Sequence, residues 1–420
     1  MTDELILDHR SKSYPLGAAP CRAADIGTKG WNLLADDLPY PLAAIRRSAL
    51  AHNIAWMQDF ATRKGVALAP HGKTTMSPQL LQGQLKAGAW GLTFATVGQA
   101  RVGVAAGASR IVIANQVVQQ ADLAGIAALH AQAPGLRVIF LLDSLAQLAL
   151  IEASQPARPF EVLLELGLAG GRTGCRSEQQ ALDLARRAHA SSAVRLVGIE
   201  CYEGLAATGD DAADREHAAS LMARVAAITR QCEQEDLFEA DDVIVSAGGS
   251  AIFDLVVPGL KPALSRKVLG LLRSGCYVTH DDGFYKRMVS AVNRRLGCTE
   301  SSGLQPALEV WAAVQSLPEA GLAILTVGKR DISYDLGMPI PLAVSPLGTR
   351  EVQLAPAAWS VSGMNDQHAY LRLGDAQSDL KLGDRVALGI SHPCTTFDKW
   401  RWMPVVDEHY DVVDAIVTYF

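Results

Sequence analysis

A lysine stands directly after an apolar run: VALAP (66–70) leads into His71-Gly72-Lys73-Thr74-Thr75. Beside a glycine at the end of a buried strand, its ammonium is placed to be desolvated and its pKa lowered, and such an amine condenses with a carbonyl. A solvated loop lysine is written the same way. The stretch LGLAGGRTGCR (166–176) sets Arg172 among glycines instead of on a helix face. There it can donate to an anionic or phenolic oxygen, or simply decorate a tight surface turn. A third apolar run ends in Ser246-Ala247-Gly248-Gly249-Ser250, ahead of a helical stretch. Small residues at such a junction expose backbone N–H groups, and a helix N-terminus favours a phosphate, though any tight strand-to-helix turn is spelled alike. Lysine, arginine and phosphate cradle together suit pyridoxal phosphate better than any nucleotide. No GxGxxG or GxxxxGKS/T pattern occupies a strand-to-helix turn, which argues against dinucleotide and nucleoside triphosphate binding.

A second kind of chemistry is written near the C-terminus, in Ser391-His392-Pro393-Cys394-Thr395-Thr396-Phe397-Asp398-Lys399-Trp400. In an extended chain, residues two apart project to one face, so His392 and Cys394 reach the same ion. Imidazole with thiolate is a pair suited to zinc. A buried histidine beside a free core cysteine has the same spelling. Two protein ligands are also fewer than the usual three, and His368, in NDQHAY, is a candidate third ligand or supporting group.

These residues need a scaffold that brings them to one rim. Short apolar runs recur at VALAP (66–70), WGLTF (90–94), IVIAN (111–115), RVIFLL (137–142), EVLLEL (161–166), VRLVGI (194–199), DVIVSA (242–247) and VLGLLR (268–273). Between them lie stretches of helical composition such as SEQQALDLARRAHA (177–190). Runs without polar alternation suit parallel strands buried on both faces, and eight strand–helix repeats predict a (β/α)8 barrel. A doubly wound open sheet is the competing reading. Beyond about residue 290 the apolar segments are short, often alternating, and separated by Gly, Pro, Asp and Asn, which predicts antiparallel β-structure. The expected organisation is an N-terminal segment over 1–34, a barrel over 35–290 and a β-domain over 291–420.

The 420 residues include 49% hydrophobic and 20% charged positions, enough to bury a large core. Lys and Arg number 38 against 44 Asp and Glu, a net charge of −6. That balance does not favour phosphate backbones, so nucleic-acid binding is not expected. The opening MTDELILDHRSKSYPLG does not read as a signal peptide, and VIFLLDSLAQLALI is interrupted by Asp143, Ser144 and Gln147. Seven scattered cysteines do not form a disulfide framework. A soluble, cytoplasmic enzyme with reduced thiols is expected.

Taken together, PHGKT, GGRTGCR, SAGGS, LRSGCYV, VGKRDISYDLG and SHPCTTFDKW, in that order and spacing, resemble the D-serine dehydratase and D-threonine aldolase family of fold-type III pyridoxal enzymes. The resemblance runs from about residue 40 to 405. It implies an alanine-racemase-like barrel followed by an antiparallel β-domain. It also implies that Lys73 holds pyridoxal 5'-phosphate as an imine and that Arg172 contacts the cofactor ring. Gly248, Gly249 and Ser250 would form the phosphate turn, with Tyr202 touching the cofactor and Tyr277 near the phosphate. His392 and Cys394 would hold zinc. The His-x-Cys form looks like the zinc-dependent D-serine dehydratases, whereas the aldolases carry His-x-Asp.

The implied activity is β-elimination from D-serine or a related D-β-hydroxy amino acid, giving a 2-oxo acid and ammonia. Retro-aldol cleavage of the D-threonine aldolase type is the alternative. Racemisation would give the His-x-Cys pair no role, and a non-catalytic pyridoxal-phosphate carrier would lack the β-domain. A homodimer is implied by the resemblance. The acidic segment THDDGFYKRM (279–288) is where substrate choice is expected to vary.

Overall fold

The computed structural model describes residues 5–299, 301–374 and 379–420. The chain divides into two compact units. One holds residues 57–73 and 81–275; the other holds the chain up to Trp56 together with 74–80 and 276–420.

In the first unit the apolar runs become eight parallel strands: Ala67–Leu68, Leu92–Phe94, Arg110–Gln116, Arg137–Leu142, Phe160–Leu166, Val194–Cys201, Asp242–Ala247 and Lys267–Leu272. From the second strand on, each pairs with the next, the last pairs with the first, and a bridge from His71 to Thr93 joins first to second. A doubly wound sheet would leave two edges and a switch in strand order, so this closure decides for the (β/α)8 barrel. Val112, Ile139, Leu163, Val197, Ile244 and Leu271 fill its interior, all essentially inaccessible to water. Truncating one such leucine to alanine would cost about 2–5 kcal/mol.

Three helices of this unit start with the same device. Thr96, Ser144 and Ser177 accept the backbone N–H of the residue three positions on, which is Gln99, Gln147 and Gln180. Each glutamine Oε1 then reaches back to the backbone N–H just before the cap, at Ala95 (3.0 Å), Asp143 (3.2 Å) and Arg176 (2.9 Å). The Ser/Thr-x-x-Gln spacing therefore fixes where strand-end loops hand over to helices. That handover is the rim where barrel chemistry sits.

The second unit is built on an antiparallel sheet whose central strand, Leu308–Glu319, pairs with Arg385–Gly389, Leu322–Leu325 and Leu42–Arg46. The strand Leu42–Arg46 lies inside the range expected for the barrel, yet it belongs to this sheet and also runs parallel to Trp402–Val406. Composition along the chain cannot register a partner more than 260 residues away. The N-terminal segment, whose packing was not readable, contributes Ala23, Ile26, Leu33 and Leu34 to the same core as Trp311, Trp400 and Trp402. The buried Arg385 ties it down by donating to the carbonyls of Leu34 (3.1 Å), Pro346 (2.6 Å) and Thr349 (2.7 Å).

Candidate active site

On the barrel unit, the first strand ends in a short 3-10 turn, Gly72–Thr74, that presents Lys73 as an exposed side chain. The desolvation expected for this lysine is thus not supplied by its surroundings. Behind it sits His71, whose Nδ1 is buried without a hydrogen-bond partner. Its imidazolium is disfavoured first by burial, then by Lys73, Arg273 and Arg172. Three cations from three strand ends therefore act on one point of the rim, a field suited to an anionic ligand.

Arg172 is exposed, with its guanidinium 4.9 Å from the centre of the Tyr202 ring. Its loop is held from two sides. Arg224 donates to the carbonyls of Gly167 and Cys175, both at 2.7 Å, and Arg176 donates to those of Gly171, Arg172 and Thr173 at 2.8–2.9 Å. Gly174 turns at φ +96°, a conformation L side chains rarely adopt.

The turn after the seventh strand is already engaged by the protein. Glu203, fully buried, accepts the N–H of Gly249 at 2.6 Å and of Gly248 at 3.1 Å. The following helix, Phe253–Val256, spans four residues, so the expected helix N-terminus contributes little, and both glycine donors of the turn are taken by Glu203. Beneath it, Arg273 forms a buried ion pair with Glu200 at 2.5 Å and donates to Ser246 Oγ at 3.2 Å. Burial pushes Glu200 up to about 8, while Arg273 draws it back down. Arg273 Nε and Glu200 Oε1 remain buried without partners. Orphaned polar atoms beside a cationic rim and a glycine turn fit a phosphorylated pyridine ligand in charge and hydrogen-bonding capacity.

On the second unit, His392 and Cys394 come together by a route other than the expected extended one. His392 is extended (φ −155°, ψ 110°) and precedes the short helix Pro393–Phe397, with Pro393 at its first position and Cys394 in its first turn. Ser333 Oγ accepts the N–H groups of Ser391 (3.3 Å) and His392 (3.1 Å), and Ser333 N–H donates to Thr396 Oγ1 (3.1 Å). That stitching brings Asp335 to 2.6 Å from His392 Nδ1 and 2.8 Å from Thr395 Oγ1. The carboxylate holds the imidazole through Nδ1, the arrangement that usually supports a metal-bound histidine.

Burial opposes a charge on His392, but Cys394 and Asp335 outweigh it and raise its pKa to about 9. The Cys394 thiol is held well below its ordinary range, chiefly by a hydrogen bond with Cys276, then by His392 and Thr74, against the effect of burial. The two sulfurs are 3.7 Å apart, and Thr74 Oγ1 lies 3.4 Å from Cys394 Sγ. An imidazole and a low-pKa thiol fit zinc in donor type. His368 sits exposed in the turn between Ser360–Met364 and Ala369–Arg372. Among the described residues no three His, Cys, Asp or Glu form a metal-holding group.

Tyr277 is buried in the turn Cys276–Val278. In the acidic segment, Asp281 Oδ1 accepts the N–H groups of Gly283 (3.0 Å), Tyr285 (2.9 Å) and Lys286 (3.3 Å), capping the helix Phe284–Leu296. Part of that polarity is therefore structural. His71, Glu200, Glu203, Asp335 and Cys276 were not singled out from sequence. A glutamate near the end of the apolar run VRLVGIEC was the one visible signal, since a charge in a buried strand needs a partner.

Residues 45–261 match the alanine racemase N-terminal domain, and residues 307–406 match the serine dehydratase domain. The chain is 27% identical over 359 residues to a D-threonine aldolase from an Arthrobacter species, covering 84% of this chain and 85% of that one. It is also 27% identical over 381 residues to a D-threo-3-hydroxyaspartate dehydratase from Delftia sp. (strain HT23), covering 86% and 92%. Its fold matches that of a D-threonine aldolase from Filomicrobium marinum with a TM-score of 0.75 at 24% identity, over 93% of this chain and 96% of that one.

Proposed function

We propose that this chain, which belongs to the alanine-racemase-like family of D-serine dehydratases and D-threonine aldolases, is a lyase that eliminates water from D-serine or a related D-β-hydroxy amino acid. The resulting enamine tautomerises to an imine, whose hydrolysis takes a water back up and leaves a 2-oxo acid and ammonia. Pyridoxal phosphate, when bound, supplies the electron sink for negative charge at Cα. Lys73 would anchor it, and its Nζ, when free, would take the Cα proton. Arg172 would donate to the cofactor ring, with Tyr202 4.9 Å away beside it, and the Gly248–Ser250 turn would hold its phosphate. His392 and Cys394 would hold zinc, which would supply Lewis acidity for a hydroxide leaving group.

The observation that carries elimination over aldol cleavage is Cys394 in the short helix after His392, with Asp335 orienting the imidazole at 2.6 Å. A thiolate with an imidazole selects a zinc-type Lewis acid. The similarity to a D-threonine aldolase keeps retro-aldol cleavage as the second reading. A panel of D- and L-serine, threonine and 3-hydroxyaspartate, scored separately for ammonia and for aldehyde, decides. Ammonia from D-substrates is the expected result; aldehyde with glycine would replace elimination by aldol cleavage.

We also propose a homodimer. Tyr334, Leu336, Met338 and Ile340 are each 38–41% exposed, an apolar row on the segment that carries Asp335. Sedimentation of the purified protein tests this. Among the described residues no helix is long and apolar enough to cross a membrane.

A further inference from the structure

Cys276 has no step of its own in the reaction proposed above, yet its sulfur lies 3.7 Å from that of Cys394. Thr74 Oγ1 touches both thiols, at 3.9 Å from Cys276 and 3.4 Å from Cys394. All seven cysteines are free in this structure. A disulfide needs about 2.05 Å between sulfurs, which leaves roughly 1.7 Å to be closed by side-chain rotation. Cys276 sits in a 3-10 turn, Cys276–Val278, and Cys394 in the first turn of a five-residue helix, so neither sulfur projects from a long rigid element. Access is unequal. Cys394 is half-buried, whereas Cys276 is 7% exposed, so a small oxidant meets Cys394 first.

We propose that Cys276 and Cys394 form a reversible dithiol–disulfide pair, a modification site whose oxidant is a peroxide. Cys394 sulfur attacks a peroxide oxygen; the O–O bond breaks, one water leaves and a sulfenic acid remains on Cys394. Cys276 sulfur then attacks that sulfur. The S–S bond forms as the S–O bond breaks, and the Cys276 proton leaves with the departing hydroxide as a second water. The two thiols lose two electrons and hydrogen peroxide is reduced to two waters. A dithiol reductant reverses the step by exchange.

The disulfide itself stands apart from the function proposed above; its consequence rests on that reading. A metal-bound Cys394 is shielded, so oxidation belongs to the metal-free protein. Once oxidised, the site keeps only His392, and metal cannot rebind until the bond is reduced. In a thiol-reducing compartment, a disulfide of this kind acts as a sensor and not as a staple.

The test uses the full chain freed of metal by a chelator, treated with stoichiometric hydrogen peroxide, alkylated and mapped by mass spectrometry. The expected result is a species lighter by two hydrogens, a cross-linked peptide joining Cys276 to Cys394, and lost zinc binding restored by dithiothreitol. Cys276→Ser and Cys276→Ala should give no cross-link, leave Cys394 at the sulfenic acid, and pass to the sulfinic acid with a second equivalent of peroxide. Absence of the cross-link in the wild type, or thiol loss with no dependence on Cys276, overturns the pair. Equal cross-linking with and without zinc would uphold the pair and remove Cys394 from the metal set instead.

Discussion

The carboxyl group of Glu203 accepts the backbone N–H of Gly249 at 2.6 Å, so the turn after the seventh barrel strand already closes around an acceptor of the protein's own. A phosphate at this turn competes with that carboxyl group for the same two N–H donors. A Cβ at Gly249 would lie 2.4 Å from Glu203 Oε1. Gly249→Val should therefore weaken pyridoxal-phosphate affinity by about 10- to 100-fold, by overpacking that pushes the carboxylate and turn apart. The loss should be equal for every substrate, read by cofactor titration. An effect confined to one substrate would assign the turn to substrate recognition.

Lys73→Ala should fold, as judged by circular dichroism, but lose the visible absorption band of the bound cofactor. Turnover should fall by at least about 10²–10⁴-fold, the size of a general base's contribution alone. A retained band with retained turnover would move the anchoring role to another amine.

Burial raises the Glu200 carboxyl to about 8, above the value of about 4.3 for an unfolded chain. The folded state thus binds this proton more tightly. The stabilisation is complete below the unfolded value and is lost as pH rises through 8. Glu200→Gln keeps the size and removes the titration. Urea unfolding across pH 5–9 should show wild type losing more stability than the Gln variant toward the alkaline end. Parallel curves would mean Glu200 stays ionised in both states.

Asp335→Asn should weaken zinc binding by about 10–100-fold, because the carboxylate orients the His392 imidazole at 2.6 Å. Competition with a chromophoric chelator measures it. Cys394→Ala should behave like chelation in both metal content and D-serine turnover. D-β-chloroalanine carries a better leaving group, so its turnover should survive metal removal far better than that of D-serine. Equal losses for the two substrates would take the metal away from the leaving group.

Much of the barrel was legible because its strands are short apolar runs of five or six residues, separated by stretches of helical composition. All eight runs became strands at nearly the expected positions. The strand Leu42–Arg46 was not legible as part of the second sheet, because its partners lie beyond residue 300. His392 and Cys394 were legible as a pair, but not their geometry: Pro393 starts a helix where an extended chain was expected.

What the sequence by itself determined was therefore local. Residue types after strand ends, the apolar rhythm and the His-x-Cys spacing depend on neighbours within a few positions, and those are printed in order. What only the tertiary structure decided was pairing at a distance. Glu203 finds Gly249 across 46 residues, Asp335 finds His392 across 57, and Cys276 finds Cys394 across 118. A lone carboxylate or thiol in the sequence carries no mark of its partner. Its hydrogen bond, its shifted pKa and its reactivity exist only once folding has removed water from between the two groups and set them a few ångströms apart.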